Sequence, residues 1–367
     1  MIFYLIILRV YLQALALLGL KLITFKPSFP YWETVLAKLG PNWLWLWGNF
    51  DGAHYIKLAQ FGYKEAFTQA FFPLYPILMR FLNYITHNGL ISGLIISHLA
   101  VFGFIYFFVK LGRIDFGKIT INWSLAFLLL FPTSFFLFSV YTEALFLFLV
   151  VLSFYLARKK NFLLAALIAG LASATRFVGI FLLPAILWEY WQKKETKTWL
   201  FYLSIIGLSS SGLLLYLNFL QRRFGDLMIF VSSQPNFGAG RQVDKLIMIY
   251  QVVWRYLKMF VSVSPQNDIY PVLVFEFGLS VIFLGLIIYA LVKKLRTSYL
   301  LFIIPTFFLP TLTGSFLSMP RFLLTGFPIF YLLGNIKNKV LKTILLTIST
   351  ILLTWAFLRF SRGYWLS

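Results

Sequence analysis

The 367-residue chain has no cysteine, which excludes disulfides, thiolate nucleophiles and cysteine-based metal sites. Charge is scarce: 12% of residues are Asp, Glu, Lys or Arg, against about 25% in an average soluble domain. Acids are scarcest, with 11 Asp+Glu against 32 Lys+Arg. Glycine-rich phosphate loops of the Walker or dinucleotide type are missing, as is any zinc-type ligand spacing, which argues against ATP, NAD and zinc chemistry. Met1 to Leu22 lacks a small-residue cleavage site and reads as a retained first span, not a signal peptide.

What fills the chain is apolar: 60% of residues are hydrophobic and 20% aromatic. One or two globular cores cannot hide that much apolar surface. Long apolar runs recur from end to end, on the scale of a bilayer core of about 30 Å. The expectation is an all-α polytopic membrane protein, a single transmembrane domain over 1–367. A cytosolic enzyme, a secreted disulfide scaffold and a nucleic-acid-binding domain are excluded. About eleven spans are expected, at 2–22, 90–109, 120–138, 142–157, 161–175, 177–192, 199–219, 272–292, 299–316, 321–334 and 342–360. Several are short for a full crossing, which predicts tilt or half-burial.

Basic residues set the orientation. Lys110, Arg113 and Lys118 follow the second span, and Arg158, Lys159 and Lys160 the fourth. Lys193, Lys194 and Lys197 follow the sixth, Lys293, Lys294 and Arg296 the eighth, and Lys337, Lys339 and Lys342 the tenth. If the spans alternate, all fall on one face, which is then cytoplasmic together with the N-terminus. Two long segments, 24–89 and 220–271, fall on the outer face; their aromatics predict helices lying in the membrane interface. Arg222, Arg223, Arg241, Arg255, Lys258 and Arg321 also fall outside, where the positive-inside rule does not account for them. Cations there call for an anionic partner, and a lipid phosphate is the nearest candidate.

The candidate chemistry lies on that face. Asp51, in Phe50-Asp51-Gly52-Ala53-His54, has two open readings. It is either the N-cap of a helix over 52–60 or a general base whose carboxyl, among aromatics, titrates above the usual range. His54, one turn on, either packs or meets the same ligand. Glu143, opening the fourth span, is either a first-turn acid or a functional group. Arg176, at the outer end of a hairpin, either pairs with Glu143 or binds a ligand. Arg222, Gln234 and Arg241, among glycines, suit close approach to a phosphate or sugar. Arg321 is expected to open the tenth span, adding a helix dipole to its own charge at an anion site. Asp51 and Glu143 are also a possible pair of ligands for a divalent cation such as Mg or Mn; no metal or other cofactor is otherwise indicated. His87 and His98 read as structural.

Five blocks, in order, resemble the PIG-V family of mannosyltransferases, which includes the eukaryotic GPI mannosyltransferase II and prokaryotic relatives. They are Phe50-Asp51-Gly52-Ala53-His54-Tyr55 with Ala70-Phe71-Phe72-Pro73, then Tyr141-Thr142-Glu143, Gly170 to Arg176, Arg223-Phe224-Gly225-Asp226 with Gln234, and Ser318-Met319-Pro320-Arg321-Phe322. They extend over about 45–330. Family members usually have Trp or Arg-Trp before the first acid, where this chain has Asn49-Phe50. The resemblance implies a GT-C bundle with the catalytic acid, matched by Asp51, in the first extracytoplasmic loop. It further implies inverting transfer of a sugar, mannose most simply, from a polyprenyl-phosphate donor to an acceptor hydroxyl. The acceptor is a glycolipid, a phosphoinositide-type lipid, a polymer or a protein, and the setting a prokaryotic plasma membrane. Arg321 with Arg176 or Arg222 would stabilise the departing phosphate. The alternatives are a flippase for a lipid-linked sugar, or a non-catalytic membrane subunit; no internal repeat of the transporter kind supports the first.

Overall fold

The computed structural model describes residues 2–193, 198–238 and 240–366, so Lys194 and Lys197 of the basic clusters lie outside the described residues. Among those described, no strand occurs. In chain order the helices are α1 (Ile2–Leu22), α2 (Asn42–Trp45), α3 (Asp51–Phe61), α4 (Leu74–Thr86), α5 (Gly89–Asp115), α6 (Lys118–Leu129), α7 (Glu143–Arg158), α8 (Phe162–Ser173) and α9 (Leu182–Trp191). They continue as α10 (Trp199–Phe224), α11 (Ile229–Ser232), α12 (Ile249–Ser262), α13 (Tyr270–Val292), α14 (Thr297–Thr311), α15 (Met319–Phe322), α16 (Pro328–Gly334) and α17 (Lys339–Ser361).

Among the described residues five helices are long and apolar enough to cross a membrane: α1, α5, α10, α13 and α17. Their ends have local causes. Asn88 starts α5 by accepting the Leu90 and Ile91 N–H groups at 3.0 and 3.2 Å, and Asn338 starts α17 through the Leu341 N–H at 3.1 Å. Gly225, at φ +72°, stops α10, five residues past the expected 219.

The other six apolar segments form shorter pieces. At 12 residues, α6 is about 18 Å long, well short of a ~30 Å core. The expected span 120–138 breaks at Leu129, ahead of Pro132, and resumes as a 3-10 turn over Ser134–Phe138. Pro305 and Pro310 lie inside α14, which ends at Thr311 with Gly314 at φ +84° just beyond. Gly326 and Pro328 separate α15 and a 3-10 turn from α16, so 321–334 is three pieces.

Packing assembles these pieces side by side. α8 lies against both α7 and α10, α5 against α7, α9 against α14, α6 against α16 and α1 against α17. Two glycines let α8 and α10 touch backbone to backbone. A Cβ on Gly212 would lie 2.0 Å from the Gly170 carbonyl oxygen, and one on Gly170 would lie 2.4 Å from that of Leu208.

The two ends of the bundle differ in charge. Arg158, closing α7, forks onto Asp115 of α5 at 2.6 and 2.7 Å, and Arg296, just before α14, forks onto Glu189 of α9. Four of the basic connections therefore share one end. Glu143 opens α7, and with 16 residues in that helix it lies about 22 Å away, at the other end. There α4 and α12 turn apolar stripes outward. Ile77, Phe81, Tyr84 and Ile85 are exposed on α4, and Tyr250, Trp254, Leu257 and Val261 on α12, at the spacing of one helix face.

Replacing Gly212 by valine is expected to separate α8 from α10 and cost about 1–3 kcal/mol. The melting temperature of the detergent-solubilised protein should fall by several degrees; an unchanged melt would contradict this account of the contact.

Candidate functional site

The residue before Asp51 sets up the site. Phe50 sits at φ +58°, ψ −118°, a conformation that costs a side-chain-bearing residue about 1–3 kcal/mol. An aromatic cage holds it: Phe29, Phe360 and Trp365 have ring centroids 4.6, 5.7 and 5.8 Å from its own. Below it, the Tyr141 hydroxyl donates to the Asn49 carbonyl at 2.8 Å and accepts the Asp51 N–H at 3.2 Å. Asp51 is thus the first residue of α3 and Phe50 its cap, which corrects the N-cap reading. The carboxylate reaches across to Arg321, whose Nη1 donates to Oδ2 at 2.6 Å.

Arg321 continues the chain of charges. Its Nε lies 3.3 Å from Glu143 Oε1, and the same oxygen accepts from Arg176 Nη1 at 2.6 Å. Asp51, Arg321, Glu143 and Arg176 form one alternating, neutral row. Glu143 is 1% exposed, so its negative charge is held by the two guanidiniums and not by water. The Arg321 guanidinium also packs 5.2–5.4 Å from the rings of Phe136, Tyr141 and Phe322. Arg321 is the third residue of the four-residue α15, so the expected helix dipole at this position is absent.

Two more expectations change. Burial pushes the Asp51 carboxyl up, but the charge and hydrogen bond of Arg321, helped by His54 and Arg241, bring it below the usual carboxylate range. The raised value expected from the aromatic surroundings is therefore reversed. The carboxylates considered for a divalent cation are instead bridged by Arg321, and among the described residues no three His, Asp or Glu side chains converge. The pair fits a guanidinium.

A cavity of about 990 Å³ opens beside this row. Asp51, His54, Glu143, Arg176, Gln234, Arg241 and Arg321 all line it. Arg222 does not: α10 continues to Phe224 and leaves Arg222 on an exposed face of its last turn. His54 stacks on Phe71 at 5.2 Å, with Tyr31 and Phe237 edge-on. Burial lowers the His54 pKa and outweighs the upward pull of Asp51 and Glu65, so the ring is neutral near pH 7.

Arg241 stands apart from the other arginines. Its guanidinium donates to Gln234 Oε1 at 3.2 Å and lies near the Leu317 carbonyl and the Ser318 hydroxyl. Among the described residues it has no carboxylate at ion-pair distance. Burial and the like charge of Arg321 lower its pKa, so this cation is held without a counter-charge in contact. Lys245 and Arg255 line the same cavity, as do Glu276 of α13 and Tyr256, whose hydroxyl donates to Glu276 at 2.8 Å. Three carboxylates face five cations across the whole cavity, a surplus of two positive charges.

Sequence reasoning passed over Glu276 and Trp365. Glu276 had a signal, an acid seven residues into a strongly apolar helix. Trp365 had none, since only the fold of the chain after α17 brings it to the cavity.

No family model matches this chain, and no curated protein or solved structure matches it.

Glu143→Ala leaves two guanidiniums facing each other without a counter-charge. It is expected to cost about 3 kcal/mol or more in stability, the scale of a broken buried pair. A melting temperature within a degree of wild type, measured in the same detergent, would contradict the role given to Glu143.

Proposed function

We propose that this chain is a membrane-embedded inverting glycosyltransferase that takes a sugar, mannose most simply, from a polyprenyl-phosphate donor. One observation carries the reading: a carboxylate, Asp51, and an uncompensated cation, Arg241, face the same large cavity at one end of an apolar helical bundle. The order of blocks resembling PIG-V mannosyltransferases supports it, and an all-helical chain with five apolar helices long enough to cross a membrane is compatible with it. On this reading the short helices complete a bundle of about eleven spans, with the basic connections on the cytoplasmic side. The amphipathic α4 and α12 then rest in the outer interface, and the cavity opens extracytoplasmically.

The chemistry follows from the groups present. The acceptor hydroxyl gives its proton to Asp51 as its oxygen attacks the anomeric carbon from the face opposite the phosphate. The bond from that carbon to the phosphate oxygen breaks, and the leaving group departs as a stable anion that needs no general acid. One carboxylate is enough, unlike the pair required in glycoside hydrolysis. Charge developing on the phosphate is met by guanidiniums.

The geometry also redistributes roles among the arginines. Arg321 and Arg176 are already engaged by Asp51 and Glu143, so the phosphate is assigned to Arg241, which has no carboxylate in contact among the described residues. The lining also has apolar members, Val272 and Leu273 of α13 and Leu309 and Pro310 of α14, which suit an isoprenoid chain.

Two measurements test this. Asp51→Asn is expected to lower sugar transfer by about 10²–10⁴-fold in purified protein while donor binding is kept or tightened. Near-normal turnover would refute Asp51 as the base. Arg241→Ala should weaken binding of a short-chain polyprenyl-phosphate-mannose by about 1.5–3 kcal/mol, the value of a hydrogen bond to a charged group. A change confined to the acceptor's KM would place Arg241 elsewhere in the reaction.

A further inference from the structure

The base proposed above is locked. Asp51 Oδ2 accepts Arg321 Nη1 at 2.6 Å, and Arg321 is only 11% exposed. A carboxylate held this way accepts a proton poorly, so Asp51 paired with Arg321 is badly set for deprotonating a hydroxyl. Something has to take the guanidinium away. A phosphodiester has the right form: two free oxygens that match the planar fork of an arginine at least as well as a carboxylate does. Arg241 supplies the place for it to arrive: it lines the same cavity as Asp51 and Arg321, has no carboxylate at ion-pair distance among the described residues, and its Nη2 lies 3.4 Å from the hydroxyl of Ser318, three residues before Arg321.

Resting on the transferase reading, we infer that the donor's phosphodiester itself switches on the base: held by Arg241, it draws Arg321 off Asp51 and frees the carboxylate for the acceptor hydroxyl. Glu143 keeps its contacts with Arg321 Nε and with Arg176, so the guanidinium has a fixed point to pivot on. Two consequences follow. The donor must bind before the acceptor can react, and without it Asp51, paired with Arg321, does not present a free base to water.

The groups around Asp51 set the direction of the proton balance. Its own helix contributes His54 and Tyr55, the bend before α7 contributes Tyr141, α7 contributes Glu143, α15 contributes Arg321, and the loop before α12 contributes Arg241. Burial raises the Asp51 carboxyl and Arg321 more than cancels this. With Arg321 moved to an anion, burial and the new negative charge both act upward. Donor binding should therefore be accompanied by proton uptake at Asp51 in mildly acidic solution.

Isothermal titration of the full chain in detergent tests this. The ligand is farnesyl methyl phosphate, a diester with no proton of its own to exchange, and each titration is run in two buffers of different ionisation enthalpy. At about pH 5 wild type is expected to take up between about 0.3 and one proton per ligand bound, and at about pH 7 nearly none. Asp51→Asn should bind the diester with the uptake removed. Binding without uptake in wild type, or uptake that persists in Asp51→Asn, overturns the switch and leaves the transferase reading standing. A diester that does not bind at all overturns the transferase reading, and the switch with it.

Discussion

The site depends on one buried negative charge. Glu143, at the first turn of α7, joins Arg176, which follows α8, to Arg321, on the short α15. These three elements come from distant parts of the chain, and the four-residue α15 is too short to fix its position by itself. In a low-dielectric setting, two arginines and two carboxylates arranged alternately suffer neither repulsion nor an unpaired charge, whereas any three of the four would. The row therefore acts as a template: with Glu143 in place, Arg321 has only one direction in which to extend its remaining Nη groups. That direction leads to Asp51.

The apolar character of the chain explains why so little charge was needed elsewhere. In lipid, exposed Phe, Ile and Leu are not a liability, and the long helices place such residues on their outer faces, as α1 does with Phe3, Ile6, Ile7 and Val10. Charges are then found where they have work to do. At one end they close helix connections through forked Arg–Asp and Arg–Glu pairs. At the other they line the cavity. The aromatic cage around Phe50 belongs to the same economy: a strained backbone is held by ring packing, and the strain directs the Asp51 side chain into the cavity.

Much of this was legible in the sequence, and the failures have physical reasons. Helices α1, α5, α7, α8, α10, α13 and α17 lie on the expected apolar runs because hydrophobicity and caps such as Asn88 and Asn338 are local signals. Spans drawn across Pro132 and Pro328 fragmented, since a hydropathy window does not register a missing N–H donor, and the one over Pro305 and Pro310 stays a single helix that ends at Thr311, short of the expected 316. Most candidate site residues could be read because acids and arginines are conspicuous in so apolar a chain. The sign of the Asp51 pKa could not be read. It turns on Arg321, 270 positions away, and aromatic neighbours alone pointed the other way. Arg222 shows the converse error: a basic residue in a promising motif that one further helical turn carries to the outside.

The division of labour among the cations bears on which substrate the cavity suits. A site for a soluble nucleotide-sugar would need donors for a pyrophosphate and a base, commonly a glycine-rich loop at a helix N-terminus, and the sequence contains none. Here Arg241 carries its charge with no carboxylate in contact among the described residues, Lys245 and Arg255 line the same cavity, and the lining also includes the apolar Val272, Leu273, Leu309 and Pro310. One anionic group attached to a long apolar chain meets both conditions; a water-soluble diphosphate meets only the first. On the proposed reading, the position of the cavity at the end of the bundle follows from the same constraint. The phosphate has to reach Arg241 while its tail stays in hydrocarbon, and only a site at the membrane boundary allows both.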